Sequence, residues 1–124
     1  MAQTHPEDLI TARTTSAGDT GVVLQSGECR VAGIIVSNIA AAAVRYAKIY
    51  DKATAPTASD TPIMTIPLTA VGTVGSFFDI VIPNAIRFSN GIGVRCVTGG
   101  ADNNAVAATA GDVAITVCYT QRIP

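Results

Sequence analysis

The side chains with the widest chemical repertoire here are His5, the cysteines Cys29, Cys96 and Cys118, and the aspartates Asp51, Asp60, Asp79 and Asp102. Nucleophilic catalysis needs a base beside the nucleophile and a third group to orient that base. The single histidine precedes Pro6 in the unpatterned stretch "MAQTHPEDLITARTT" and reads as a solvated side chain. The cysteines stand far apart and are odd in number, without the paired spacing of a zinc site or the density of a disulfide scaffold. Each lies in an apolar, strand-like run, where a free thiol acts as a small hydrophobe; buried, reduced cysteines point to folding in a reducing cytoplasm. Strands could gather aspartates in space for glycoside cleavage, but nothing in their spacing asks for it.

Two glycine- and Asx-rich motifs carry weaker signals. "GIGVRC" starts like a dinucleotide fingerprint, yet Cys96 occupies the third glycine position and no helix follows. Its simpler meaning is a hairpin turn at Gly91 and a small strand residue at Gly93. "GADNNAV" offers the oxygens of Asp102, Asn103 and Asn104 but lacks the glycine and distal glutamate of a calcium loop, so local Asx turns are expected. Neither catalytic nor metal-binding residues are assigned, and no cofactor is expected.

Behind these residues stands a chain of 124 residues, 48% hydrophobic and only 14% charged, with net charge -1. That length suits one domain with its own core. The low charge favours a subunit that hides part of its exterior against neighbours. Eight scattered Lys and Arg form no basic footprint, so nucleic acid is not an expected partner. The most apolar window, "VAGIIVSNIAAAAV", is interrupted by Ser37-Asn38 and too short to cross a bilayer, and no signal-peptide pattern opens the chain, so no membrane partner is expected either.

From Thr20 onward, short runs rich in Val, Ile, Thr, Tyr and Phe alternate with Gly, Pro, Asn, Asp and Ser clusters, the pattern of a β-sandwich or barrel. Strands are expected at 21–25, 28–37, 43–50, 62–68, 76–82, 85–88, 92–98 and 112–120. In the last, Val113, Ile115, Val117 and Tyr119 share one face. In 28–37, Cys29, Val31, Gly33 and Ile35 alternate with Arg30, Ala32, Ile34 and Val36; both sets are mostly apolar, which predicts a central strand covered on both sides. Asn90-Gly91 reads as a two-residue hairpin turn, and Pro83-Asn84 as a break between strands. "SNIAAAAVRYAKIYDK" has helical spacing at Ile39, Ala43, Tyr46 and Tyr50, but its β-branched surroundings favour a turn followed by a strand.

The expected organisation is a polar N-terminal arm over 1–20 and a β-sandwich domain over 21–124. The polar segments 51–61 and 98–112 are surface loops in this organisation. Leu9, Ile10 and Arg13 are the candidate partner-binding residues, because apolar residues in a polar arm have no core of their own to join. Aromatic platforms for sugar are sparse: tryptophan is absent, and Tyr46, Tyr50, Tyr119, Phe77, Phe78 and Phe88 sit mostly where packing accounts for them.

Over residues 30 to 120, the strand "YAKIYD", the Pro-bearing loop after it, "PIMTIPL", "IRFSNGIGV" and the closing "GDVAIT" resemble the small all-β virion proteins of tailed bacteriophages, most of all head decoration or cement proteins. The resemblance implies a jelly-roll-like antiparallel β-sandwich, not an enzyme. It implies a homotrimer made in the host cytoplasm and seated on the capsid surface against the major capsid protein. It leaves open the alternative of a tail- or fibre-associated β-module, including one that binds glycans.

Overall fold

The computed structural model describes residues 9–121; His5 lies outside them. Eight strands follow one another: β1 (Ile10–Thr14), β2 (Val22–Ser26), β3 (Cys29–Asn38), β4 (Arg45–Asp51), β5 (Met64–Leu68), β6 (Phe77–Phe88), β7 (Gly91–Val97) and β8 (Val113–Gln121). They form two antiparallel sheets with strand orders β1-β8-β3-β6 and β2-β7-β4-β5. Pairing the first strand with the last, the second with the seventh, the third with the sixth and the fourth with the fifth makes one long hairpin. Rolling it up produces these two orders, which is the jelly-roll topology. The all-β sandwich expected from the turn-punctuated apolar runs is therefore present.

Inward-facing side chains of both sheets fill the space between them. Ile34, Val36, Ile115 and Val117 from the first sheet meet Ile49, Leu68, Ile92 and Val94 from the second, all fully buried. Each such side chain contributes about 2 kcal/mol by leaving water. The face expected on β8 is the inward one: Val113, Ile115, Val117 and Tyr119 are buried. Tyr119 keeps its hydroxyl satisfied by donating to Gln25 Oε1 across the sheets at 3.0 Å.

Four sequence expectations need correction. The arm over 1–20 contains β1, which lies along β8 with Ile10 opposite Tyr119 and Thr14 opposite Ile115, so the sandwich begins well before residue 21. In β3 the register shifts between Val31 and Gly33, against both β6 and β8. The extra residue flips the alternation, so the core takes Cys29 and Val31, then Ile34 and Val36, instead of Gly33 and Ile35. The strand is central as expected, but its outer side is only half-buried.

Pro83-Asn84 bends a strand instead of ending one. β6 runs through it, with Asn84 and Ala85 at positive φ forming a bulge. Finally, Asn90-Gly91 makes no hairpin, because β6 and β7 belong to different sheets. The alanine-rich segment resolves as favoured, with a turn and then β4. Buried Asn38 donates to Ala43 O and Thr69 O and accepts from the Ala41 amide, which ties that turn down.

Candidate functional site

The outward faces of the two sheets are treated very differently. On the β2-β7-β4-β5 sheet, Lys48 and Arg95 stand opposite each other on neighbouring strands, and both are 0% exposed. Two cations on the outside of a sheet can be that buried only under a roof, and the two long loops provide it. The β7–β8 connection brings Ala101 O over the Lys48 ammonium, which donates to it, and Asn104 O within 2.6 Å of Arg95 Nη2. Arg95 also donates to Asp19 Oδ1 and Asp19 O, each at 2.6 Å, and to the Tyr50 hydroxyl at 3.0 Å.

The β4–β5 connection covers the other end. Buried Pro56 lies against Gly21 and Gly93, where an added Cβ would come within 2.5 Å and 3.0 Å of its ring. Gly21 N donates to Pro56 O at 2.8 Å. Lys52 pairs with Asp60 at 2.6 Å, and the Asp60 carboxylate also accepts from the Thr57 amide. The bonds to Lys52 and then to the Thr57 backbone hold Asp60 below the usual aspartate pKa. The polar loop is thus a pinned cover.

The aspartates are spread over separate duties. Asp51 accepts from the amides of Ser89, Asn90 and Gly91 and so fixes the crossing from β6 to β7. Asp60 closes its own loop, and Asp102 lies close enough to Lys48 to favour its charge. Asp79 points outward from β6, in the other sheet. Among the described residues, no three of His, Cys, Asp and Glu gather as they would around a metal ion, and no helix is long and apolar enough to cross a membrane. Burial pushes the Cys29 thiol up to about 11, with help from Asp51 and Glu28. It takes Cys96 to about 12 against the opposing field of Arg45. Both sit in the core, whereas Cys118 is half-buried on the outer face of β8. All three are free thiols.

Among the described residues, nothing roofs the outer face of the β1-β8-β3-β6 sheet over its β6 edge in this way. Residues pair across it in rows: Arg13–Thr116–Ile35–Asp79, then Thr11–Cys118–Gly33–Val81. Phe77 (58% exposed) and Val81 (75%) stand outward on β6, beside the exposed Phe78 at the rim. Of the candidate partner-binding residues, Leu9 and Ile10 are exposed at the opposite edge, and Arg13 is exposed in the first row. The structure therefore puts all three at one margin of this bare sheet. Sequence reasoning missed the β6 half. Phe77, Phe78 and Val81 look like core residues until β6 is known to be an edge strand. Compared with known proteins, the chain matches no family model and no curated relative.

Lys48 offers a direct test of the roof. Burial, then the neighbouring Arg95, lowers its pKa from 10.5, while Asp102 opposes the shift. An ammonium that binds its proton less tightly when folded penalises the native state below its folded pKa. That penalty fades as pH rises towards the unfolded value. Lys48→Met should therefore raise stability at pH 7 by about 1 kcal/mol. The gain over the parent should shrink as pH climbs through the window between the folded and unfolded lysine pKa values. Paired thermal melts from neutral to alkaline pH measure this, and the pairing cancels the thiol contributions.

Proposed function

We propose that this chain is a structural virion protein, a decoration protein that seats on the lattice of the major capsid protein as a homotrimer and stabilises the head. The observation that carries the proposal is the one-sided cover. One sheet is roofed by pinned loops down to two buried cations, while the other leaves aromatic and aliphatic side chains bare along an edge strand. Such a bare patch on a low-charge chain marks a surface made to be covered. The jelly-roll sandwich supports the same reading, since this architecture recurs in viral capsid domains. A decoration protein works by repetition, with several modest contacts per oligomer adding to a firm hold on a lattice.

Mixing the protein with purified expanded capsids should give saturable, stoichiometric binding and raise the temperature at which the capsids open. Phe77→Glu with Val81→Glu should weaken that binding, whereas Thr65→Glu on the roofed sheet should leave it unchanged. Absence of binding by the parent chain, or equal effects of both variants, defeats the proposal.

A further inference from the structure

The two margins of the bare sheet fit each other. We propose that copies of this chain associate head to tail, with β6 of one copy pairing antiparallel with β1 of the next, so that Asp79 lies opposite Arg13. Strand direction allows it. All neighbours in the order β1-β8-β3-β6 are antiparallel, so β1 and β6 run in opposite directions. A second copy set alongside in the same orientation therefore presents β1 antiparallel to β6.

Register supports it as well. With Asp79 opposite Arg13, Ile82 faces Ile10, Val81 faces Thr11, Ile80 faces Ala12 and Phe78 faces Thr14. Those pairings keep core-side residues with core-side residues and outward residues with outward ones. The five residues of β1 then match residues 78–82, and the free ladder of β6 stops where it should. Next comes Pro83, which has no N–H to donate, followed by the bulge at Asn84 and Ala85.

Backbone hydrogen bonding has the same phase. In an antiparallel sheet, hydrogen-bonded and non-hydrogen-bonded pairs alternate along a row. The row Arg13–Thr116–Ile35–Asp79 crosses four strands, so the pairing at one end continues correctly into the other. Charge selects between the possible contacts. Both side chains are exposed, and like edges brought together about them oppose like charges, whereas unlike edges pair a cation with an anion. The other sheet's β5 edge is blocked by Pro67. A head-to-tail contact of this kind closes a ring when the rotation between copies allows it and runs on as an open filament when it does not. It stands on geometry alone, so a chain that oligomerises yet ignores capsids would end the functional proposal and leave this one intact.

The test is the mass of the full chain by native mass spectrometry and light scattering over a dilution series. The parent should form one defined oligomer. Asp79→Arg and Arg13→Asp should each weaken it by about tenfold or more, and the double reversal should restore it. If a reversal also lowers the melting temperature, hydrogen exchange on the parent decides. Amides in 10–14 and 78–82 should gain protection between dilute and concentrated protein. A monomeric parent, an oligomer indifferent to single reversals, a double reversal that melts like the parent yet stays dissociated, or unchanged exchange in those two strands overturns the proposal.

Discussion

Gly91→Ala should cost about 4 kcal/mol of unfolding free energy, the sum of a backbone conformation reserved for glycine and a steric conflict with no soft partner. Gly91 opens β7 with φ at 153°, and a Cβ built there would sit 2.4 Å from Gln25 O and 3.1 Å from Lys52 O. Both neighbours are backbone. Gln25 belongs to β2, paired along β7, and the Lys52 amide donates to Gly91 O at 3.1 Å. The clash can be relieved only by prising β2 away from β7 or by breaking the corner held by Asp51. A chain of this size has about 6–18 kcal/mol to lose, so the melting temperature should fall steeply. Gly27→Ala is the control. Gly27 also has positive φ, at 105°, but nothing lies within 4 Å of its added Cβ. It should pay the conformational cost alone, about 1 kcal/mol. Equal losses at the two glycines would show that strand proximity is not what reserves position 91.

The same glycine shows how far the sequence was readable. Asn90-Gly91 correctly marks a sharp change of direction, and the strand that follows begins where expected. Turn chemistry is local, however. It cannot say whether the next strand joins the same sheet or crosses to the other, and here it crosses. The β3 bulge has the same cause: Ala32 carries no sign of being an extra residue, because that is a relation between three strands. β1 was missed because "ITART" buries only small inward groups, Ala12 and Thr14, against β8 and so lacks the apolar density that revealed the other strands.

The site was less legible than the fold. Leu9 and Ile10 stand out as apolar residues in a polar segment, and Arg13 lies in the same short stretch. Phe77 and Val81 look well placed in a strand, and only the sheet order reveals that their strand is an edge. Lys48 and Arg95 were scattered cations on paper. Their burial depends on partners far along the chain, Ala101 at 53 residues from Lys48 and Asp19 at 76 residues from Arg95.

Asp19→Ala should be the most damaging change to the roof. Arg95 is wholly buried, while the Asp19 side chain that balances its charge remains 39% exposed. Burial by itself would lower the guanidinium pKa, but the bonds to Tyr50 and Asp19 outweigh it and hold the group charged. Removing the carboxylate leaves that cation beneath the loops with only neutral acceptors, namely Asp19 O, Asn104 O and the Tyr50 hydroxyl. The expected loss is about 3 kcal/mol, the lower end for breaking a buried pair because those acceptors remain. In melting temperature that is about 10 °C. The reverse deletion is gentler, since Asp19 can take water once Arg95 is gone. The double variant Asp19→Ala with Arg95→Met should therefore be more stable than Asp19→Ala alone, a sign reversal that simple loss of contacts cannot produce. Chemical denaturation of the two variants and the parent measures it. A double variant less stable than the single would mean that Arg95 holds the roof by packing and hydrogen bonds alone, with its charge energetically silent.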